Sequence, residues 1–249
     1  MFVDDNPAER EHVRQILPQV KIVELSDDPA DYPKLIDEEG FFEITALSHE
    51  DIQRTEQYIG NIERKHLEES TINYADYLAS LGQKAVIRPF DEKYLDRISQ
   101  LINKTNQFNL TTLRLSRSQV EERMQDSKAL TAYVRMADRF GDNGLISVFS
   151  ARQEADELLI DEWLMSCRVI KRGVEHLLCN YIVEKAREMG ATKLRGIYIP
   201  TQKNSLVRDH YKSLNFSLVD NVQDVSSHWS LYLDTYKPFE VQIELLEDY

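Results

Sequence analysis

Read for the spacing of apolar positions, the chain changes rhythm near residue 84. Before it, FVDD (2–5) has the look of a strand end. PAEREHVRQIL (7–17) has helical spacing behind Asn6, a good N-cap, and Pro7, a good first helical residue. KIVEL (21–25) predicts a short strand and DDPADYP a turn-rich loop. Residues 48–81 predict mainly helix, with Ser48 as cap and Asp51 three residues on. After it, AVIRPF predicts a strand, DEKYLDRISQLINKTNQF (91–108) one long amphipathic helix and SRSQVEERMQ a second. Three strands follow, LTAYVRMAD, GLISVFSARQ and ELLIDEWLMS, the first two joined by a hairpin connection RFGDNG. The helix VEHLLCNYIVEKAREMG ends at Gly190. Then come strand KLRGIYIP, helix NSLVRDHYKSLN, and strands FSLV and HWSLYLD. The order from residue 84 is β-α-α-β-β-β-α-β-α-β-β.

Composition adds limits. At 42% hydrophobic and 29% charged, 249 residues suffice for one large or two small domains. No apolar run reaches membrane-spanning length and no signal-peptide pattern opens the chain, so no membrane partner is expected. Two cysteines twelve positions apart, Cys167 and Cys179, make neither a disulfide framework nor a zinc site, and a reducing cytoplasmic location is the simplest expectation. The net charge of −13 is uneven: residues 1–82 hold 19 acids and 7 bases, residues 83–219 hold 17 acids and 22 bases. The acidic front argues against nucleic acid, and the basic middle suits an acidic partner or a phosphate-bearing ligand. Solvated charge without a partner is the competing reading.

The most informative stretch is DEWLMSCRVIKRGVE (161–175). A strand runs into Cys167, then a turn carrying Arg168, Lys171, Arg172 and Gly173, then a helix near Val174. Backbone N–H groups and cations at such a junction favour a thiolate, the nucleophilic form. Cys167 is therefore a candidate nucleophile; the alternative is a small buried residue closing a strand. Cys179, among Leu177, Leu178 and Ile182, reads as core. Asp161 and Glu162 are candidates to move a proton or orient a neighbour, and strand alternation with Trp163 predicts one inside and one outside. His176, one turn into the helix, is either a base for the thiol or a solvent-facing histidine. Tyr211 is either a general acid or a core aromatic.

The element order, with a basic turn between the fourth strand and the third helix, resembles the GNAT acyltransferase fold. There an R/Q-x-x-G-x-G/A loop binds the pyrophosphate of coenzyme A through backbone N–H groups. Arg168 matches the first position and Gly173 the last, while Lys171 stands where the middle glycine belongs. That substitution trades conformational freedom for a charge. Three segments together, FVDDNPAERE (2–11), INKTNQFNLTT (102–112) and GDNGLIS…DEWLMSCRVIKRGVE (141–175), closely resemble the FkbH-like proteins. These couple a phosphatase domain of the haloacid-dehalogenase (HAD) type to a GNAT-like domain. The likeness runs to about residue 235.

The resemblance implies an α/β fold of the α+β kind. Residues 1–47 are expected to be the C-terminal remnant of a HAD-like Rossmannoid domain and 48–82 a helical connector. Residues 83–235 are expected to form a GNAT-like domain with a mixed, mainly antiparallel sheet, and 236–249 an acidic tail. It implies a glyceryl-type acyl group taken from a phosphorylated three-carbon donor, held on Cys167 and passed to the phosphopantetheine thiol of an acyl carrier protein. Asn103, Thr105, Asn106, Gln107 and Asn109, with Trp163, become candidates for binding the acyl unit or its oxyanion; polar caps for helix carbonyls are the alternative. Arg168, Lys171, Arg172 and Gly173 become candidates for the phosphate of phosphopantetheine or coenzyme A. Asp4 and Asp5 match the last HAD motif and would help hold magnesium only if the rest of that domain were supplied, in trans or in a longer chain. The isolated chain is expected to need no cofactor and to lack phosphatase activity, since the aspartate nucleophile is not in it. The alternatives are an acetyl-coenzyme-A-dependent N-acetyltransferase and a non-catalytic binding module.

Overall fold

A computed structural model describes residues 1–41, 49–222 and 225–247, and of 49–56 the backbone alone. The predicted cap at Ser48 lies outside the described residues. The chain divides into two compact units, Met1–Thr55 and Glu56–Tyr249.

In the first unit, helix α1 (Pro7–Ile16) starts where Pro7 predicts, and the Asn6 side chain accepts from the Ala8 N–H at 2.9 Å. The strands predicted on either side shrink to one parallel bridge, Phe2 to Ile22. A second helix, α2, covers Tyr32–Glu38. Arg10 is buried and its guanidinium donates to the carbonyls of Asp4 (2.7 Å) and Asp5 (3.1 Å), which fixes the chain before α1.

Helix α3 (His49–Ser70) carries the unit boundary, and α4 (Tyr74–Ser80) leads into the sheet of the second unit. The sheet strands are β1 (Gln83–Arg88), β2 (Ala129–Asp138), β3 (Gly141–Glu154), β4 (Glu157–Met165), β5 (Lys193–Tyr198), β6 (Ser217–Val222), β7 (Ser226–Tyr232) and β8 (Ile243–Leu245). Between them lie α5 (Leu95–Lys104), α6 (Arg117–Gln125), α7 (Val174–Glu188) and the short α8 (His210–Ser213). The spatial order is β6-β7-β5-β4-β3-β2-β1-β8. Only β4–β5 and β1–β8 pair parallel, so the sheet is mixed and mainly antiparallel. From β1 to β7 the elements follow the order expected from the sequence. One core packs Trp163, Phe149 and the apolar face of α7 together; the other packs Leu95, Ile98 and Ile102 of α5 and Val120 of α6 against Val148 and Leu164.

Three departures have physical causes. The helix predicted over 91–108 is a 3-10 turn followed by α5, which stops at Lys104. The hairpin connection is not the glycine-rich run: the chain turns at Arg139–Phe140, where the Asp138 carboxylate accepts from the Phe140 N–H at 2.9 Å. Gly141–Gly144 then enter β3, and the shifted register after Val134 absorbs the extra residues as bulges. Finally, Ile243–Leu245, inside the acidic C-terminal stretch, adds a parallel edge strand to β1.

Gly196 in β5 shows how tightly this unit is packed. A Cβ there would lie 2.3 Å from Cζ of Tyr211, whose ring is buried on α8. Tyr211 is thus a core aromatic, not a groove acid. Gly196→Ala is expected to destabilise the protein by about 1–3 kcal/mol through overpacking. An unchanged urea midpoint would show that the ring can yield.

Candidate active site

Strand β4 ends where its ladder with β3 ends, at Met165 opposite Ser147. The Ser166 N–H still reaches the Ile146 carbonyl (2.7 Å), and the chain then makes a 3-10 turn over Cys167–Val169. Val169 is driven into the core, which turns Cys167 outward: the thiol is exposed. The buried-cysteine alternative therefore fails. Arg168 is held by the Ser166 hydroxyl, the Gln57 amide oxygen and the Asn143 carbonyl.

Cys167 lies on a groove of about 790 Å³. One wall is the C-terminal half of α5 and the loop after it: Arg97, Gln100, Leu101, Lys104, Thr105, Asn106, Gln107 and Phe108. The other is Met165, Ser166, Cys167 and Arg168, with Gln202 and Lys203 from the loop after β5. Among the described residues four of the lining side chains are cations and none is a carboxylate. Of the expected acyl-binding residues, Thr105, Asn106 and Gln107 line this groove. Asn103 donates instead to the Leu115 (2.7 Å) and Ser99 (2.8 Å) carbonyls. Arg97, Gln100, Lys104, Gln202 and Lys203 were missed. A polar stripe at positions 97, 100 and 104, one face of a helix, was the available signal for the first three.

Asn109 sits in a seam. Strands β4 and β5 pair only over Glu157–Leu159 and Lys193–Arg195, then part. Residues Phe108–Leu110 fill the gap. The Phe108 carbonyl accepts from Met165 N–H (3.1 Å), Leu110 N–H donates to Trp163 O (3.4 Å), and Leu110 O accepts from Ile199 N–H (2.8 Å). Buried Asn204 donates to the Asn109 (3.0 Å) and Ile199 (2.9 Å) carbonyls. Parted strands would otherwise offer free N–H and C=O groups to an extended ligand; here the chain supplies its own. Trp163 is buried behind this insert, edge-on to Phe149 and His210. Burial depresses the imidazole of His210 to about 3, with a smaller push from His176.

The turn before α7 has two residues in the left-handed region. Lys171 (φ +66°) and Gly173 (φ +88°) are both left-handed, a conformation that favours glycine. The Lys171 N–H, however, already donates to the Glu175 carboxylate at 2.9 Å. Arg172 is turned inward: it bonds Gln83 (2.9 Å) and pairs with Asp138, which is also held by Arg64 through two bonds of 2.8 Å. Its guanidinium is thus a buried structural group. Arg168 faces the groove and Lys171 is exposed.

The remaining candidates lie apart from the thiol. A register shift in β4 makes Asp161 the extra residue of a bulge, between Ile160 opposite Ala151 and Glu162 opposite Ser150. The predicted inside–outside alternation is therefore broken, and both carboxylates reach Arg123, at 3.5 and 3.0 Å. Asp161 is also bidentate with Arg152 (2.8 and 3.0 Å). Glu162 is fully buried and accepts from Ser150 at 2.6 Å; burial raises its pKa, against the pull of Arg123. Glu162 lies three strand steps before the end of β4 at Met165, about 10 Å at roughly 3.3 Å per residue, and Cys167 follows in the turn beyond it. His176 is stacked on Phe239, ring centroids 4.3 Å apart, and is not in the groove lining.

Asp4 and Asp5 alone do not make a magnesium site. The Asp4 carboxylate accepts from the Asn6 N–H at 2.8 Å, leaving Asp5 beside it. Among the described residues no group of three or more His, Cys, Asp or Glu is placed to hold a metal. No helix among them is long and apolar enough to cross a membrane.

The two thiols should differ sharply in reactivity. Cys179 is buried on α7, and burial pushes it up to about 12 despite a bond with Tyr236. Iodoacetamide at neutral pH should label Cys167 faster by more than about tenfold, read by peptide mapping. Preferential labelling of Cys179 would overturn the site.

No protein-family model matches the chain, and no curated protein matches it. Solved structures do. The ribosomal-protein-S18-alanine N-acetyltransferase from Escherichia coli aligns with TM-score 0.45 and 11% identity over 60% of this chain and 94% of that one. The GNAT domain of S. lividans PAT aligns with TM-score 0.47 and 15% identity, over 59% and 89%. An aminoglycoside 6'-acetyltransferase type Ii aligns with TM-score 0.46 and 15% identity, over 59% and 96%. At these values the likenesses say nothing of chemistry; the fold assignment rests on the strand order and pairing above.

Proposed function

We propose that this chain carries a GNAT-like acyltransferase module. In it Cys167 accepts a small acyl group and passes it to the phosphopantetheine thiol of an acyl carrier protein. The observation that carries the reading is an exposed thiol on a groove whose described lining holds four cations and no carboxylate. The Cys167 thiolate attacks the carbonyl carbon of the donor, and the donor's leaving group departs with the electron pair. The resulting thioester is attacked by the carrier thiolate, which takes the acyl group and returns Cys167 as thiolate. Each exchange makes one C–S bond and breaks one bond to the same carbon. Thr105, Asn106 and Gln107 offer hydrogen bonds to acyl hydroxyls and to the oxyanion. The three segments resembling FkbH-like proteins support a glyceryl-type group from a phosphorylated three-carbon acid, and a cytoplasmic setting suits an exposed free thiol.

The same resemblance supports residues 1–47 as a HAD-like remnant, with the parallel bridge around α1 in its favour. Connector 48–82, GNAT-like domain 83–235 and acidic tail 236–249 complete the proposed division, with β8 tying the tail to the domain's sheet. In this reading magnesium belongs to the complete HAD domain.

A second reading, an acetyl-coenzyme-A-dependent N-acetyltransferase, is favoured by the element order. Two observations weigh against it. Glu175 occupies the Lys171 N–H, a donor that a phosphate would need. Residues 108–110 close the β4–β5 gap. A third reading is a non-catalytic binding module.

Intact-protein mass spectrometry after incubation with a glyceryl thioester, then with holo carrier, tests the first reading. The expected result is an adduct on Cys167 that disappears as acylated carrier forms. Turnover of acetyl-coenzyme A without an adduct would establish the second reading, and no reaction with either donor the third.

A further inference from the structure

We infer that Gln57 is a positioning residue of the Cys167 site, acting through Arg168, and that α3 and α4 brace the turn carrying both. The inference rests on the reading of Cys167 as acyl carrier and deepens it: part of the segment expected to be a connector becomes part of the site.

The turn itself is lightly bonded. Its Val169 N–H donates to the Ser166 carbonyl and its Arg172 N–H to the Val169 carbonyl, both at 3.2 Å. Lys171 has φ +66°, a strained conformation for a residue with a Cβ, which persists where the surroundings impose it. Side chains from two helices do so. The Lys171 N–H donates to the Glu175 carboxylate of α7 at 2.9 Å, and its carbonyl accepts from the Tyr74 hydroxyl of α4 at 3.0 Å. The Tyr74 ring lies 5.5 Å from that of buried Tyr77, which anchors it.

Helix α3 supplies its ties from one face. Gln57, Gly60 and Arg64 stand at positions i, i+3 and i+7, while Tyr58, Ile59 and Ile62 on the other side are exposed. Gly60 lets the helix lie directly on the turn between β2 and β3: a Cβ there would stand 2.8 Å from the Phe140 carbonyl oxygen. Arg64 is buried against Asp138, which also pairs with Arg172 of the Cys167 turn. Two helical turns earlier, half-buried Gln57 offers its amide oxygen to the Arg168 guanidinium. Arg168 also meets the Ser166 hydroxyl (3.2 Å) and the Asn143 carbonyl (3.4 Å), and has further interactions besides. The Gln57 tie therefore decides where this guanidinium stands, not whether it is partnered.

The chemistry at Cys167 gives the brace its use. A nucleophile that takes an acyl group from one molecule and hands it to another must present its sulfur at a fixed place to both. Cys167 is exposed, and Val169 is the buried foot of its turn. The ties at Arg168, Lys171 and Arg172 hold the rest of the turn, and with it the cation that lines the groove beside the thiol.

Two alkylating reagents that attack the same thiolate but differ in charge test the inference without any acyl donor. The thiolate fraction cancels between them, so the iodoacetate-to-iodoacetamide rate ratio at Cys167 reports the nearby cation. Full-length chains are labelled near neutral pH and read by peptide mapping. Arg168→Gln should lower the ratio about threefold or more. Gln57→Met keeps the side-chain length and removes the amide oxygen; it should reproduce at least about half of that loss on a logarithmic scale, and the double variant should fall no further than Arg168→Gln alone. A merely structural role would slow both reagents alike and leave the ratio unchanged, which would overturn the proposal. So would a ratio kept in Gln57→Met, or losses that add. Tyr74→Phe removes one hydroxyl and keeps the ring. Amide exchange over residues 167–173 should quicken about tenfold in it, with the melting temperature held within about 2 °C. Unchanged exchange there would overturn the part of the proposal that rests on α4. A brace borne out with no acyl adduct on Cys167 would sink the acyl-carrier reading alone, and an adduct with unchanged ratios would sink the brace alone.

Discussion

Replacing Asp138 by alanine is expected to destabilise the larger unit by about 3–5 kcal/mol, as when one partner is removed from a buried ion pair. The carboxylate is fully buried and lies between two buried guanidiniums, Arg64 and Arg172. It also accepts from the Phe140 N–H and the Asn143 amide. Alanine would strand two cations and two neutral donors. Burial pushes the Asp138 pKa up. The bonds from Arg64, the charge of Arg172 and the Phe140 N–H more than offset this, so it ends below its ordinary value. A depressed folded-state value means the contribution is fully present above the unfolded pKa, near 3.9, and is lost as pH falls through the folded one. Urea midpoints measured from pH 7 down should therefore drop below about pH 4 in the wild type, and less steeply in Asp138→Asn. A loss under about 1 kcal/mol for the alanine variant would mean that water or a shifted side chain replaces the carboxylate.

Cys167→Ala should abolish the covalent adduct and lower acyl transfer to the carrier by at least about 10³-fold, the scale of losing a nucleophile. Because the side chain is exposed, stability should move by no more than about 0.5 kcal/mol. Stopped-flow mixing with acylated donor and holo carrier measures the rate; retention of transfer within tenfold would make the reaction a direct handover without an enzyme-bound intermediate.

Local chemistry explains which features were legible. Asn6 and Pro7 set the start of α1 by capping and by fixed φ, effects that need no distant partner. The strand-to-turn passage at Met165–Gly173 was visible because an apolar run ends against cations and a glycine. Features decided by distant backbone were not visible. Helix α5 loses 105–108 because β4 and β5 take Phe108 and Leu110 as ladder partners. The glycine-rich run is strand because Asp138 already forms the turn before it. Ile243–Leu245, flanked by acids, becomes β8 only because β1 offers a free edge. The groove joins Lys104 to Lys203, 99 positions apart, which no local spacing can announce. The inward turn of Arg172 is equally non-local, since its partner Asp138 lies at the end of β2, 34 positions earlier.

The insert at Phe108–Leu110 has a consequence for biosynthesis. Its partners, Trp163, Met165 and Ile199, are all translated after it, the last 89 positions after Leu110. At about 5–20 residues per second the ribosome needs roughly 4–18 s to cover that distance. Until β4 is made, about 53 positions after Leu110, neither large apolar side chain has a strand to seat it, and the β5 side stays open to the end of the interval. Silent codon changes that slow translation between 111 and 199 should therefore lengthen the time Phe108 and Leu110 wait for their strand partners.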